Sequence, residues 1–242
     1  LLEGAYLIGE ITPKLSDKIV SFGELLSSYI ISAYFKSQGL DAIHADARTL
    51  ITTDQVHGKA SVNYALTNQK LLEFNGANKN AIVAMGGFIA SSSEGVATTL
   101  GRGGSDFTAA IVAAALDASL LEIYTDVSGM FTANPKLVKQ ARPITSISYE
   151  EAMELSHFGA KVLYPPTIQP VLQKQIPIAI KNTFDPQAVG TLIQKQASEG
   201  NKTVQGISHI ENIALISLEG SGMIGIPGIS KRFFEVLSNA KI

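Results

Sequence analysis

The sequence predicts an α/β fold in which a largely parallel β-sheet carries helices on both faces. Segments of strand character alternate with segments of helix character along most of the 242 residues, as in parallel sheets whose strands are joined by helices. The strand segments are short and apolar, and one ends in paired glycines. Ligands bind such sheets beyond the carboxyl ends of the strands, so we expect a site there.

Helical and strand segments follow one another in the first half of the chain. Residues 18–39 predict a short apolar piece, a break at Gly23, and then a helix that is capped by Gly39. The next predicted elements are a strand, a helix and a buried strand, in this order: 41–47, 61–74 and 80–91.

The second half of the chain continues this alternation. Residues 106–119 predict an alanine-rich helix that is apolar on nearly every face and therefore covered on more than one side. Ser148 and Glu151 fit a capping box at the start of another helix. The remaining elements are a strand that runs into a loop, a short helix and a strand: 120–131, 165–175 and 176–184.

A change in composition marks the C-terminal part. Residues 194–203 are polar, and we place a domain boundary there. Beyond it, a strand at 212–220, a glycine-rich turn and an amphipathic helix at 229–240 form one strand–loop–helix unit. One such unit cannot bury both of its faces, so we expect only part of a domain here.

The composition excludes several classes of function. Charged residues make up 17% of the chain and the formal net charge is −2, so we expect no bulk attraction to nucleic acid or to anionic membranes. The absence of cysteine excludes disulfides, thiolate nucleophiles and cysteine-based zinc sites. The sequence shows neither a membrane span nor a signal peptide. We expect a soluble protein of the cytoplasm.

The segment Thr98–Ala110, TTLGRGGSDFTAA, admits three readings: a phosphate cradle, a substrate clamp or a tight turn. Its glycines allow close approach of a ligand, and the following helix directs free amides and its positive end at the loop. The segment fits neither a Walker loop nor a dinucleotide fingerprint. A turn with Ser105 as N-cap also explains the glycines. Arg102 favours binding, because its guanidinium suits a carboxylate or a phosphate.

Other polar residues are ambiguous by themselves. Asp106 is a candidate to hold a lysine or a metal, or it caps the helix. Glu24 follows a glycine at a predicted helix start, where glutamates are common, while Thr125 and Asp126 end a strand where ligand loops are expected. Lys161 equally fits a surface lysine with a buried stem. We expect structural or exposed roles for the histidines, which lack metal-ligand spacing: His44, His57, His157 and His209.

Five motifs occur in an order and spacing that resemble aspartate kinases of the amino acid kinase family. They are SFGE (21–24), GFIAS (87–91), the segment 98–110, YTDVSGMFTANPK (124–136) and FGAKVLYPPTI (158–168). The resemblance covers nearly the whole chain, and its Gly-Arg-Gly-Gly-Ser-Asp block is highly specific. Residues 150–183 look closest to kinases that are fused to homoserine dehydrogenase. Residues 212–242 resemble the first half of an ACT domain, the amino-acid-sensing module of these kinases.

The resemblance implies an αβα sandwich at residues 1–195, without its N-terminal segment, and a partial, ferredoxin-like ACT domain at residues 203–242. It implies transfer of the ATP γ-phosphoryl group, with Mg²⁺, to the β-carboxylate of L-aspartate. This reaction is the first step toward lysine, threonine and methionine. A feedback amino acid, lysine or threonine, would bind the ACT region, and the full-length protein would form homodimers or higher homo-oligomers.

The resemblance also implies roles for individual residues. Glu24 would bind the amino group of aspartate and Arg102 its α-carboxylate, while Asp106 would orient a catalytic lysine. We therefore take Arg102 and Asp106 as the catalytic candidates, with no metal ligand. Three further residues would complete the aspartate site: Phe88, Gly104 and Ser105. The ATP site would be formed by Thr125, Asp126, Phe131, Lys136, Lys161 and Val162.

The chain departs from the family pattern in two respects. Phe131 and Lys136 stand where the family often has tyrosine and arginine, which predicts looser ATP binding. The N-terminal Lys-Phe-Gly-Gly-Thr motif, whose lysine would bridge the phosphates, is absent from these 242 residues, and we expect the fragment alone to be inactive or nearly so. The alternatives are a glutamate kinase-like enzyme and a non-catalytic, amino-acid-binding regulatory subunit.

Overall fold

The computed structural model describes residues 1–157, 162–197, 204–220 and 227–240. The chain divides into two compact units, Leu1–His209 and Ile210–Ile242. The sequence predicts a boundary slightly earlier, within residues 194–203, and the domain assignment made from the sequence stays a prediction.

The first unit contains helices of very different length. They are α1 (Leu2–Ile8), α2 (Pro13–Ser37), α3 (Ala47–Leu50), α4 (Tyr64–Ala77), α5 (Gly104–Ala115), α6 (Tyr149–His157), a 3-10 helix (Pro165–Thr167) and α7 (Ile168–Lys174). The long helix α2 begins with Pro13 at a position where proline is favoured, and Thr12 caps it by accepting a hydrogen bond from the Leu15 amide.

The described strands of this unit form three sheets. The strands are β1 (Ala42–Ala45), β2 (Thr52–Thr53), β3 (Ile82–Met85), β4 (Ile89–Ser92), β5 (Ala97–Thr99), β6 (Leu121–Thr125), β7 (Ser146–Ser148), β8 (Ile178–Asn182) and β9 (Thr191–Gln194). Their orders are β1-β3, β2-β4-β5 and β6-β8-β9-β7. Pairing is parallel except between β4 and β5 and between β8 and β9. The predicted α/β class with mainly parallel pairing is confirmed, although the strands lie in three sheets rather than one.

The described residues of the first unit form two hydrophobic clusters, and α5 contributes to both. Ala110 and Ala113 pack with the buried side chains of β6, β8 and β9. Ile111 packs on another side of the same helix, with Ile51 and Ile89. The prediction that this alanine-rich helix is covered on more than one side is therefore confirmed. The position of α5 matters for function because the glycine loop leads directly into the first turn of this helix.

Several other predicted elements are confirmed. Gly39 follows the end of α2 with a φ of 80°. The capping box before α6 is formed, because the Glu151 amide donates to the Ser148 hydroxyl and the Ser148 amide to the Glu151 carboxylate. Predicted strands and helices have counterparts in these elements: β1, α4, β3, β6, α7 and β8.

Two predictions about local structure are wrong. Helix α2 runs through Gly23 without a break, because the cost of one interior glycine, about 1 kcal/mol, is small beside the packing of a 25-residue helix. The single buried strand predicted at residues 80–91 is two strands in different sheets, β3 and β4, because Phe88 has a φ of 68° and interrupts the extended chain. Strand β3 is also not fully buried, since Ile82 is 45% exposed and Val83 41%; the described residues pair this strand only with β1.

The second unit contains helix α8 (Ile229–Asn239), which confirms the predicted amphipathic helix. Residues 212–220 form no strand, so this prediction is wrong. A strand needs a neighbour to pair its backbone groups, and the described residues of this unit supply none. The partial ACT domain stays a prediction. Across the described residues of both units, no helix is sufficiently long and apolar to traverse a bilayer.

Candidate functional site

Three motifs that are distant in the sequence meet through glycines that leave no room for a side chain. A Cβ atom added to Gly86 would lie 2.8 Å from the carbonyl oxygen of Glu24, and one added to Gly87 would lie 2.7 Å from Cα of Ser105. A Cβ atom on Gly104 would lie 2.9 Å from Cδ2 of Phe88. The turn of α2 around Glu24, the loop between β3 and β4, and the start of α5 are thus packed against one another.

Phe88 lies at the centre of this junction in a backbone conformation that non-glycine residues rarely adopt. Its φ is 68°. The Phe88 amide donates to the Thr108 hydroxyl at 3.0 Å, and its carbonyl accepts from the Leu100 amide at 2.9 Å. Thr108 in turn donates to the Gly104 carbonyl at 2.8 Å. Thr108 is not among the residues predicted from the sequence, although a threonine on an alanine-rich helix one turn after Gly104 is a usable signal.

The glycine loop leads directly into α5. Gly103 is the N-cap with a φ of 68°, and Gly101 has a φ of 74°, conformations that favour glycine. Ser105 lies within the first helical turn, so the alternative reading with Ser105 as the N-cap is excluded. The physical reason is that Gly103 already adopts the non-helical conformation of a cap. The Gly104 amide, the first of this 12-residue helix, donates to the Gly101 carbonyl at 3.0 Å, and the positive end of the helix favours an anion at the loop.

The two charged residues of the loop differ in environment. Arg102 and Ser105 are exposed, whereas Asp106 is half-buried. Burial raises the pKa of the Asp106 carboxyl, because it removes the water that hydrates the charged form. Within the part of the chain that the structure describes, no ion pair to Asp106 is formed. A cation placed beside Asp106 would therefore be bound favourably.

The residues predicted to meet the nucleotide begin at the carboxyl end of β6. The Thr125 hydroxyl donates to the Asp126 carboxylate at 3.2 Å, and the Thr125 carbonyl accepts from the Thr183 amide at 2.8 Å. Asn182 donates to the Ser128 hydroxyl at 2.9 Å, so β8 anchors the loop that follows Thr125. The backbone of Phe131 pairs with Pro143.

The remaining nucleotide candidates lie on two further segments. Lys136 is exposed in a turn that Asn134 closes by accepting the Lys136 amide at 3.0 Å. Val162 is half-buried and packs on the same hydrophobic cluster as Met130. Lys161 lies outside the described residues. Tyr164, which is not among the residues predicted from the sequence, covers the glycine loop: a Cβ atom on Gly103 would lie 2.7 Å from the Cδ1 atom of Tyr164.

The prediction of structural roles is confirmed for two histidines. His44 Nε2 lies 3.0 Å from the Ser28 hydroxyl, and His57 Nδ1 lies 2.8 Å from the Asp17 carboxylate. Among the described residues, no group of three histidine or carboxylate side chains is placed to hold a metal ion.

Comparison with known proteins places this geometry in context. The model of the amino acid kinase family matches residues 5–182. The chain is 37% identical over 243 residues to the bifunctional aspartokinase/homoserine dehydrogenase 1 of Arabidopsis thaliana, covering 98% of this chain and 27% of that protein. It is 35% identical over 232 residues to the lysine-sensitive aspartokinase 3 of Escherichia coli, covering 96% of this chain and 51% of that protein.

A solved structure resembles the fold as well. It is E. coli aspartokinase III in complex with aspartate and ADP, with a TM-score of 0.74 and 38% sequence identity, over 77% of this chain and 42% of that one. The chain thus spans between about a quarter and a half of the length of these relatives.

Proposed function

The chain belongs to the amino acid kinase family, and we propose that it carries the catalytic domain of an aspartate kinase. The reaction transfers the γ-phosphoryl group of ATP to the β-carboxylate of L-aspartate. A β-carboxylate oxygen forms the new bond to phosphorus, the bond from phosphorus to the β,γ-bridging oxygen breaks, and ADP leaves. Relatives named aspartokinase and the structure of one with aspartate and ADP support this proposal.

The observation that carries the proposal is that the 86–88 loop joins the two candidate segments: Gly86 lies against Glu24, while Gly87 and Phe88 lie against the start of α5. We assign Glu24 to the amino group of aspartate and exposed Arg102 to its α-carboxylate, where a guanidinium forms paired hydrogen bonds. Phe88, Gly104 and Ser105 complete this aspartate site. A free amine and a carboxylate recognised together favour an α-amino acid over an acylated or a non-amino acid substrate.

The chemistry requires positioning and charge neutralisation more than activation of a nucleophile. The acceptor carboxylate has an ordinary pKa of about 4 and is already ionised at neutral pH. Asp106, half-buried without an ion-pair partner in the described part of the chain, would orient a lysine toward the phosphates. The 242 residues do not contain the Lys-Phe-Gly-Gly-Thr motif, and we expect little turnover from them alone.

On the nucleotide side, we assign the ATP site to the residues predicted from the sequence: Thr125, Asp126, Phe131, Lys136, Lys161 and Val162. Mg²⁺ would arrive bound to the phosphates of ATP, a mode that needs at most one or two protein carboxylates.

We further propose that the full-length protein senses lysine or threonine through an ACT region and forms homo-oligomers. One relative is named lysine-sensitive, and another is fused to a homoserine dehydrogenase. The place of the reaction at the start of lysine, threonine and methionine synthesis, and a cytoplasmic location, are parts of the same proposal.

Coupled ATP turnover by the full-length protein tests this function. We expect L-aspartate to support turnover and L-glutamate, N-acetyl-L-glutamate and carbamate not to do so. Turnover with L-glutamate alone would favour the glutamate kinase-like alternative. If calorimetry showed amino acid binding but no binding of ATP–magnesium, the protein would be a regulatory subunit instead.

The substitution Arg102→Gln tests the aspartate site within this assay. We expect KM for L-aspartate to rise about 100-fold, since a charge-assisted pair contributes about 2–3 kcal/mol. KM for ATP should change little. Arg232→Gln, which makes the same change on an exposed position of α8, is the matched control and should behave like the wild type.

A further inference from the structure

Asp17 is a buried carboxylate that the reaction described above does not use. It lies in the second turn of α2 and is 3% exposed. A buried carboxylate is retained in a folded protein when hydrogen bonds replace its lost hydration. Its partners therefore indicate what the side chain holds in place.

The partners of Asp17 come from two segments outside its own helix. His57 Nδ1 lies 2.8 Å from Oδ2, and the Gly58 amide donates to Oδ2 at 3.0 Å. The Thr99 hydroxyl donates to Oδ1 at 2.7 Å. An ionised carboxylate only accepts hydrogen bonds, so the proton of the His57–Asp17 bond belongs to Nδ1. Both oxygens of Asp17 are thus used.

Both segments lead to the glycine loop. Thr99 is the last residue of β5 and is separated from Gly101 by one residue. Gly58 lies against the loop from the other side, because a Cβ atom on Gly101 would lie 3.0 Å from the Gly58 carbonyl oxygen. The Ala60 amide donates to the Thr99 carbonyl at 2.9 Å and joins the two segments. Asp17 therefore fixes both segments that flank the beginning of the loop.

The 54–61 loop does not depend on Asp17 for its own closure. Asp54 Oδ1 accepts hydrogen bonds from the Ser61 amide at 3.0 Å and from the Val56 amide at 3.1 Å. These bonds lower the pKa of the Asp54 carboxyl. Loss of the Asp17 carboxylate should therefore displace this loop from Gly101 without unravelling it.

We propose that Asp17 is a positioning residue, which acts through His57, Gly58 and Thr99 to set the position of the glycine loop and thereby of Arg102. The proposal rests on the proposed function, because it takes Arg102 to bind the amino acid substrate. A displaced loop weakens binding of the amino acid, whereas the nucleotide candidates lie on other segments and are unaffected. The expected signature is a rise in KM for aspartate alone.

Steady-state kinetics of the full-length protein test this proposal. Asp17→Asn should raise KM for L-aspartate about tenfold, because the amide nitrogen faces hydrogen-bond donors, and should change KM for ATP less than about twofold. Asp117→Asn is the matched control: Asp117 is exposed and pairs only with exposed Lys174 among the described residues, so this variant should match the wild type. An unchanged KM for aspartate, or equal rises in both KM values, would overturn the proposal.

Two less disruptive variants, both at Thr99, test the proposal if Asp17→Asn fails to fold. Thr99→Val removes the hydroxyl at nearly constant volume, whereas Thr99→Ser keeps it. We expect Thr99→Val to raise KM for aspartate about fivefold and Thr99→Ser to stay near the wild type. Equal KM values for the two variants would count against the proposal.

Amide hydrogen exchange separates this proposal from the proposed function. If the wild type does not phosphorylate aspartate, the proposed function fails, but the amides of Ala60 and Gly104 should still exchange about fivefold or more faster in Asp17→Asn or Thr99→Val. The β8 amides serve as the internal reference. Unchanged exchange at Ala60 and Gly104 would contradict a positioning role independently of any activity.

Discussion

At the scale of single residues, Gly87 is the position where an added methyl group tests the assembled site most directly. A Cβ atom there would lie 2.7 Å from Cα of Ser105 and 3.0 Å from its carbonyl oxygen. Both neighbours belong to the backbone, so α5 must move for an alanine to fit. We expect Gly87→Ala to lower kcat/KM for L-aspartate by about tenfold or more, measured by coupled ATP turnover.

Gly76→Ala is the control for this substitution. Gly76 lies near the end of α4, and apart from its chain neighbours and the backbone of its own helix, no atom of the described residues lies within 4 Å of an added Cβ. Alanine is the better helix former by up to about 1 kcal/mol, so Gly76→Ala should preserve activity and slightly stabilise the fold. If Gly87→Ala were as active as Gly76→Ala, the contact between Gly87 and Ser105 would not be part of a working site.

A substitution at Asp106 should raise the stability of the fold and lower its activity. Burial raises its pKa, so the ionised form is less stable in the folded chain than in the unfolded chain. Asp106→Asn removes this cost, and we expect a stability gain below about 1 kcal/mol, because Asp106 is partly solvated and the helix N-terminus favours a negative charge. Thermal unfolding measures the gain, and turnover of the full-length variant should fall sharply.

The stability gain should depend on pH in one direction. A carboxyl whose pKa is raised on folding costs nothing below its unfolded value of about 4, where both states are protonated. The cost grows as the pH rises from that unfolded value and is complete above the raised pKa of the folded state. The melting temperatures of the wild type and Asp106→Asn should therefore converge at acid pH and separate toward neutral pH. A constant difference would exclude this linkage.

At the scale of elements, the side chains that α2 buries are small or polar. Its buried residues are Asp17, Ser21, Ser28 and Ser32. Ser28 donates to the Glu24 carbonyl at 2.7 Å and lies 3.0 Å from His44 Nε2, so His44 donates in that contact. Small residues allow α2 to approach β1 and β3 closely, which brings the backbone of Glu24 against Gly86.

Ser28→Leu tests this close approach. We expect overpacking to destabilise the fold by about 1–3 kcal/mol and to raise KM for L-aspartate through displacement of Glu24. Ser27→Leu makes the same change on the neighbouring exposed position and should alter neither quantity appreciably. Denaturant unfolding and steady-state kinetics provide the two measurements. If the two variants had equal effects, the close approach of α2 to β1 and β3 would not depend on the small residues that α2 buries.

The elements also show what a local pattern can predict. Apolar runs in the sequence predict these elements: strands β1, β3, β6 and β8 and helix α5. Strands β2 and β5 contain only 2 and 3 residues, and they exist because β4 pairs with both. Pairing of this kind is a tertiary effect that the segment itself does not encode. Residues 212–220 are the converse case: their local pattern predicts a strand, but the described residues of the second unit provide no strand with which it could pair.

The candidate site shows the same difference between what a local sequence pattern predicts and what depends on tertiary contacts. The glycines and Arg102 are visible in the sequence because a tight loop needs those residue types. The contacts of Tyr164 with Gly103, and of Asp17 with His57 and Thr99, join residues that are between 40 and 82 positions apart. Spacing along the chain gives no signal for such pairs, so the residues that hold the loop became identifiable only in the structure.

At the scale of the whole molecule, the family and the fold agree with the sequence resemblance. The family model spans residues 5–182, and the relatives extend well beyond the length of this chain. The complete activity is therefore proposed for the full-length protein, and the central proposal is that this protein phosphorylates the β-carboxylate of L-aspartate.

Trapping of the product tests that claim most directly. The full-length protein is incubated with ATP, Mg²⁺, L-aspartate and hydroxylamine, which converts an acyl phosphate into a stable hydroxamate, and the hydroxamate is identified by mass spectrometry and NMR. We predict β-aspartyl hydroxamate, formed in step with ADP. An α-hydroxamate, or release of ADP without any hydroxamate, would contradict phosphorylation of the β-carboxylate.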